Sequence, residues 1–419
     1  MYQTPRGTVD ILPVEQAYWC YVEKKAALTC QLYGYERIDT PAFENTNLFS
    51  RSIGEKTDIV EKEMYSFKDK SGNLITLRPE GTAPICRAYI EHGMQNQPQP
   101  VKLYYTTPIF RYERPQAGRY RQHHQFGYEA IGDNDPTLDA EVIDMAWLFF
   151  NSLGLSNLKL LLNSIGCHKC RPEYLTSLRQ YYSGYRDKLC SNCKVRLDKN
   201  TLRLLDCKKE ICQQLAVSTP RSIDYLCHEC KEHFRLLRDY LQQLGLPFSV
   251  NHCLVRGLDY YTRTVFEIQP QVGGTQSTIG GGGRYDDLIE ELGGKPTPAL
   301  GFAAGIERII LNLKRQNAVV PPIPQPQVFI AQTSDRVKNE VIKLASSLRR
   351  ADIGVLQASS SKSLKAQLRH ANNIGISFVI IIDEEEMKTG AVILRNMTTA
   401  KQDRIILAEL QDKLLGQLQ

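Results

Sequence analysis

A chain of 419 residues is too long for one ordinary hydrophobic core, so two or three domains are expected. With 42% hydrophobic and 23% charged residues the composition is that of a globular protein, and no apolar run approaches the roughly 18 residues of a membrane span. The formal charge of +6 is uneven: residues 165–245 hold 15 Lys and Arg against 9 Asp and Glu, residues 325–419 hold 13 against 10, and the remainder is net acidic. Two basic modules around such a remainder suit accessory parts that touch a polyanion, with scattered surface charge as the plainer alternative.

The first residues, MYQTPRGTVDILP, lack the basic and apolar regions of a signal peptide, so a cytoplasmic location is expected. Residues 15–33 space their apolar positions as a helix does and stop near Gly34. YERIDTPAFE (35–44) reads as a strand whose proline confines it to an edge or an interface. Asp135 and Pro136 open a second helix carrying Ala140, Ile143, Trp147 and Phe150 on one face, and it ends near Gly154. A basic, cysteine-rich insertion then occupies 165–245, after which VRGLDYYTRTVFEIQ (255–269) regains strand character. VVPPIPQPQ (319–327) is too rich in proline for helix or central strand and serves as a linker. Beyond it VFIAQ, a helix near 336–350, GVLQ, a helix near 362–373 and FVIIID alternate as a small α/β domain over 325–419.

Eight of the twelve cysteines lie between Cys167 and Cys230. In a reducing compartment that crowding points to metal or burial rather than disulfides. Cys190-x2-Cys193 and Cys227-x2-Cys230 have the pairing of a four-thiolate zinc site, with Cys167, Cys170, Cys207 and Cys212 as alternative ligands. Buried free thiols are the competing reading.

The stretch IFRYERPQAGRYRQHHQFGYE (109–129) sets four arginines between two strand-like runs. Alternation puts Ile109, Arg111 and Glu113 on one face, and Gln125, Gly127 and Glu129 in phase on the return, with Phe126 and Tyr128 opposite. An arginine on that face can fork onto a phosphate or carboxylate, and Gly127 leaves room for a ligand. Arg114, Arg119 and Arg121 occupy the intervening loop. Four consecutive glycines in IGGGGRYDDL require something to approach the backbone closely. ALGFAAGIERIILNL runs from a strand into a helix near Gly305, and Arg308 in its first turn favours a nearby anion.

FRYE with its loop and return strand, then GFAAGIER far downstream, resemble motifs 2 and 3 of the class II aminoacyl-tRNA synthetases, and YERIDTPAFE resembles motif 1, the dimer-forming element. LVRGLDYYTRTVFE, GGGGRYDDL, TPRGTVDILP and RPEGTA (78–83) resemble the histidyl-tRNA synthetase family in particular, and the likeness covers essentially the whole chain. The resemblance implies an α+β fold with three parts. These are an antiparallel-sheet catalytic domain (1–320), interrupted by the 165–245 insertion, and a C-terminal α/β anticodon-binding domain. It implies a homodimer that takes L-histidine, ATP with Mg2+, and tRNA(His), and that has no membrane partner. Glu80, Thr82 and Gln125 would hold the histidine amino group, Glu129, Tyr260 and Tyr261 its imidazole, and Tyr285 would close the pocket. Arg111 and Arg256 would flank the α-phosphate, Arg119, Arg121 and Arg308 the outer phosphates, and Glu113 would orient ATP. His123 stands where the family commonly has phenylalanine against adenine, and a neutral imidazole can still stack there. A regulatory subunit of ATP phosphoribosyltransferase, built on the same catalytic fold, is the alternative. The intact arginines and the C-terminal module argue against it.

Overall fold

The structure is a computed structural model that describes residues 2–54, 57–115, 118–271, 278–358 and 362–418. It divides into two compact units, Met1–Pro321 and Pro322–Gln419.

Among the described residues the first unit is built on an eight-stranded sheet. Its spatial order is Glu36–Arg37, Val101–Phe110, Gln122–Ile131, Ala299–Gly305, Gly280–Arg284, Thr262–Pro270, Leu158–Ser164, Phe248–Val250. The inner pairings are antiparallel, and only the two short outermost strands join in parallel. One face packs Phe126, Tyr128, Phe266 and Phe302 against the helices Gln16–Leu32, Pro136–Ser152 and Ile306–Arg315. Those helices form where the pattern predicts. Gln16–Leu32 buries Trp19, Val22, Ala26 and Cys30 on one stripe and is followed by Gly34 at φ 74°. Pro136–Ser152 starts from Asp135, whose carboxylate accepts the Thr137 N–H at 2.8 Å. Trp147 lies at the edge of its buried face, half-buried, while Ala140, Ile143 and Phe150 are buried.

Two expected strands are shorter than their composition suggests. YERIDTPAFE splits at its proline into Glu36–Arg37, on the edge of the large sheet, and Phe43–Asn45, in a separate three-stranded sheet with Tyr65–Lys68 and Leu74–Leu77. In 255–269 the strand begins only at Thr262, because Arg256 to Tyr261 turn to line a cleft. Gly280–Arg284, by contrast, is a strand, and close backbone approach is what its glycines permit. A Cβ on Gly282 would stand 1.9 Å from the Gly301 carbonyl oxygen.

Between Leu158–Ser164 and Phe248–Val250 the chain is helical, with α-helices Arg171–Ser183, Ser191–Lys199, Glu210–Ala216 and His228–Gln243. The second unit holds a five-stranded mixed sheet in the order Val355–Gln357, Val328–Gln332, Phe378–Ile382, Ala391–Asn396, Gln402–Ile406, with helices Lys338–Arg350, Leu364–Asn373 and Leu407–Leu418. Its last two strands and last helix, which carry no strong turn or repeat signal, were not anticipated from the sequence.

Gly282→Ala is expected to destabilise the first unit by more than about 3 kcal/mol, the upper end for overpacked cores. Gly416→Ala, at an exposed helical position with nothing near the added methyl, should leave stability unchanged or raise it by up to about 1 kcal/mol. Urea unfolding of both variants checks the contrast.

Candidate active site

The face opposite the aromatic core carries the site. In the hairpin Leu103 pairs with Glu129, Tyr105 with Gly127, Thr107 with Gln125 and Ile109 with His123, so these residues share one side. Arg111 lies just past the strand, its N–H donating to the Arg121 carbonyl at 2.9 Å, and its Nε donates to the Pro79 carbonyl at 2.6 Å. That anchor holds the guanidinium between two cavities. The larger, about 430 Å³, is lined by Glu113, Arg119, His123, Glu267, Glu307 and Arg308 among others. The smaller, about 130 Å³, is lined by Glu80, Thr82, Tyr105, Tyr260 and Tyr261. Arg111, Gln125, Arg256 and Ala303 line both, which puts two guanidinium groups and a carboxamide at the junction.

Hydrogen bonds fix the walls of the smaller cavity. Glu80 accepts the backbone N–H groups of Thr82 (2.7 Å) and Ala83 (2.8 Å), which caps the helix Thr82–Glu91, and it accepts the Tyr260 hydroxyl at 3.3 Å. Glu129 accepts from Thr82 Oγ1 at 2.9 Å and from the Tyr285 hydroxyl at 2.6 Å. Burial lifts the Glu129 carboxyl to about 8, although the Tyr285 and Thr82 hydroxyls pull it down. Glu129 and Tyr285 therefore stand behind Thr82, and neither lines the cavity itself. Tyr285 bonds Glu129 and packs edge-on against the lining residue Tyr260, with ring centres 5.7 Å apart. Gly127 likewise differs from its expected part, because the space beside it is filled: an added Cβ would meet the Tyr105 ring at 2.5 Å.

In the larger cavity Arg256 Nη1 donates to Glu267 Oε1 at 2.6 Å, and the guanidinium lies 5.5 Å from the Tyr261 ring centre. Burial pulls that guanidinium's pKa down, but Tyr261 and Glu267 outweigh it and hold it above its ordinary value. Arg308 donates to the carbonyls of Gly118 and Thr278, both at 3.0 Å. Arg119 pairs with Glu113 at 3.2 Å. Burial, Arg111 and Arg308 push the His123 imidazole down to about 3, so it is neutral at physiological pH. Arg121 is the exception among the expected phosphate ligands. Its guanidinium stacks 3.7 Å above the Tyr112 ring and is absent from the lining of both cavities. Residues 116 and 117 of the same loop lie outside the described residues.

Two residues in the cavity escaped the sequence reading. Glu267 accepts from Arg256, from Gln269 Nε2 at 2.9 Å and from Thr278 Oγ1 at 2.7 Å. A lone carboxylate inside the apolar strand TRTVFEIQ was its signal. Glu307 accepts the His124 backbone N–H at 2.8 Å and locks the end of the return strand to the helix Ile306–Arg315.

The cysteines come together differently from the expected set. Cys190, Cys193, Cys227 and Cys230 do not form one group. Cys167, Cys170, Cys227 and Cys230 gather at one place, and Cys190, Cys193, Cys207 and Cys212 at another. Each CxxC pair opens a different helix, and the fold brings together the helices at the ends of the insertion, leaving the Ser191–Lys199 helix to the middle segment.

An antiparallel sheet with a guanidinium-lined cleft on one face and helices on the other is the catalytic architecture of class II aminoacyl-tRNA synthetases. The histidyl-tRNA synthetase family model matches residues 7–170 and 189–309, and the anticodon binding domain model matches residues 327–417. A histidine--tRNA ligase of Dehalococcoides mccartyi strain 195 is 62% identical over 98% of this chain and 98% of its own. The apo histidyl-tRNA synthetase of S. aureus superposes with a TM-score of 0.83 at 38% identity, covering 99% of both chains. A Bacillus halodurans protein described as an ATP phosphoribosyltransferase regulatory subunit/histidyl-tRNA synthetase shares the fold at 23% identity and a TM-score of 0.65, over 91% of this chain and 98% of its own. The chain belongs to the histidyl-tRNA synthetase family.

The raised Glu129 carboxyl has a consequence for stability. The folded protein keeps a proton that the unfolded chain releases near pH 4.5, so stability falls as pH rises from about 4.5 to about 8, where only the unfolded chain ionises this carboxyl. Relative to Glu129→Gln, the wild type should lose on the order of a few kcal/mol across that range. Urea unfolding of both proteins at the two ends measures it; a constant difference would mean that the carboxyl ionises freely.

Proposed function

We propose that the chain activates L-histidine with ATP to give histidyl-adenylate and pyrophosphate, then transfers histidine to the 3′ end of tRNA(His). The observation that carries this reading is the junction of the two cavities, where Arg111 and Arg256 face the boundary between a small polar pocket and a larger cation-lined one. Histidine occupies the smaller pocket, with its amino group near Glu80, Thr82 and Gln125. Gln125 Oε1 is buried and has no hydrogen-bond partner among the described residues, as an acceptor kept for an ammonium group would be. Its imidazole lies toward Tyr260 and Tyr261, with Glu129 reached through Thr82. An imidazolium there would draw the Glu129 carboxyl toward its ionised form.

ATP occupies the larger cavity. Arg119 and Arg308 hold its outer phosphates, the neutral His123 ring offers a stacking face to adenine, and Glu113 orients the nucleotide. Mg2+ arrives with ATP, and carboxylates among the cavity's lining, such as Glu113 and Glu267, are oxygen donors of the kind such a hard cation takes. The histidine carboxylate oxygen attacks the α-phosphorus, the bond to the β-phosphate oxygen breaks, and pyrophosphate leaves. Arg111 and Arg256 on either side stabilise the charge that grows on the five-coordinate phosphorus.

A homodimer is favoured by the exposed Phe43, Phe67 and Leu74 of the three-stranded sheet, which contains the end of YERIDTPAFE. The insertion (165–245), the linker (319–327) and the anticodon-binding domain (325–419) are assigned to tRNA, as their basic charge suits. A working place in the cytoplasm accompanies that role; none of the described helices is long and apolar enough to cross a membrane. The regulatory alternative predicts no turnover, so histidine-dependent pyrophosphate exchange separates the two readings.

Arg256→Ala should lower adenylate formation by about 100-fold or more while changing histidine affinity little, because its charge acts mainly where negative charge develops. Pyrophosphate exchange and histidine binding measured together test this, and equal losses in both would remove the assigned role. A chain ending at Pro321 should retain exchange activity and lose most tRNA affinity. Charging of tRNA at the full-length rate by that truncated chain would overturn the domain assignment.

A further inference from the structure

We infer that the insertion holds two zinc ions in separate four-thiolate sites, one formed by Cys167, Cys170, Cys227 and Cys230 and the other by Cys190, Cys193, Cys207 and Cys212. Within each group the sulfurs all lie within 4.8 Å of one another. Cys167 Sγ stands 3.8 Å from Cys170 Sγ and 3.9 Å from Cys227 Sγ, and Cys190 Sγ stands 3.9 Å from Cys207 Sγ. Zinc–sulfur bonds of about 2.3 Å directed to the corners of a tetrahedron put the sulfurs about 3.8 Å apart. A disulfide would need about 2.05 Å, and all of these cysteines are free. Four sulfurs this close surround one ion and leave no room for a polynuclear iron–sulfur core.

Folding gives an independent reason. The helix Ser191–Lys199 buries only Cys193 and Leu197, and Glu210–Ala216 buries only Cys212 and Ala216. So little apolar surface does not hold helices of nine and seven residues in place, and a metal bound by their cysteines supplies the missing cross-link. Binding converts four thiols to thiolates, whose protons pass to solvent. With four protein ligands each site is closed, which makes it structural and independent of the histidine-activating reading.

The two sites brace different walls. The first ties the start of the insertion to the helix His228–Gln243 that ends it. It adjoins Arg171, whose Nη2 donates to the Tyr261 carbonyl at 2.6 Å. The second contains Cys207, and its neighbours Asp206 and Lys208 line the larger cavity.

Elemental analysis of the full chain, purified without added metal, should find two zinc ions per chain. Cys193→Ser and Cys230→Ser should each retain one, and the double variant none. One ion in the wild type, lost in both single variants, would indicate one mixed site and overturn the pairing. Well under one zinc per wild-type chain, with all eight thiols titrating in the native protein, would overturn the proposal whether or not the variants fold.

Discussion

Arg284 is the largest fully buried side chain among the described residues, and the geometry of the smaller cavity depends on how its charge is met. Its Nη1 pairs with Asp139, its Nε with Asp286 at 3.0 Å, and its Nη2 donates to the Asp133 carbonyl at 2.6 Å. Asp139, itself fully buried, also contacts His233 Nε2 at 3.0 Å. Burial would raise the Asp139 carboxyl, but Arg284 and His233 more than offset that and hold it below its usual range. The network joins the glycine strand to the helices Pro136–Ser152 and His228–Gln243. Removing one member would leave an uncompensated buried charge, at about 3–5 kcal/mol. Tyr285 follows directly and bonds Glu129, so the orientation of that carboxylate is inherited from an ion network on the far side of the strand.

Backbone geometry makes the other half of the site possible. Arg256, Tyr260 and Tyr261 sit on a segment without regular structure, where ordinary ladder bonds cannot fix them. Side chains from elsewhere take over that task. Asn163 Nδ2 donates to the Leu254 carbonyl at 3.0 Å, Arg203 Nη1 to the Arg256 carbonyl at 3.4 Å, and Arg171 Nη2 to the Tyr261 carbonyl. Arg171 and Arg203 belong to the insertion. That helical module therefore holds the backbone of the segment that carries Arg256 and Tyr261.

Much of this was legible in the sequence because strand alternation has period two. The phase of Gln125, Gly127 and Glu129 against Phe126 and Tyr128 follows from counting alone, and the structure puts the two sets on opposite faces. What counting could not give was depth and partnership. Glu129 reads as a pocket wall but lies behind Thr82, and Gly127 reads as open space but receives the Tyr105 ring. Arg121 reads as a phosphate ligand, but its guanidinium stacks on the Tyr112 ring, a partnership that counting does not reveal. The cysteine pairing failed for a related reason. Spacing identifies CxxC hooks, but which hooks meet is set by helix packing far apart in sequence, and no local pattern encodes that.

The two chambers also differ in how they manage charge, and the difference fits their proposed occupants. In the smaller one the lining carboxyl of Glu80 is met by two backbone N–H groups and a phenol, and Glu129, which bonds the lining residue Thr82, accepts two hydroxyls. Such a pocket presents hydrogen-bonding groups in fixed directions beside the two guanidinium groups at the junction, which suits a small ligand recognised atom by atom. In the larger one Arg119, Arg256 and Arg308 each meet a carboxylate or carbonyl oxygen yet remain clustered, and the Nε atoms of Arg119 and Arg256 are buried without a partner among the described residues. Like charges held this close repel, so the arrangement favours a polyanion that can lie among them. Burial, together with the cations Arg111 and Arg308, keeps His123 neutral, which leaves its ring an uncharged flat surface in that cavity.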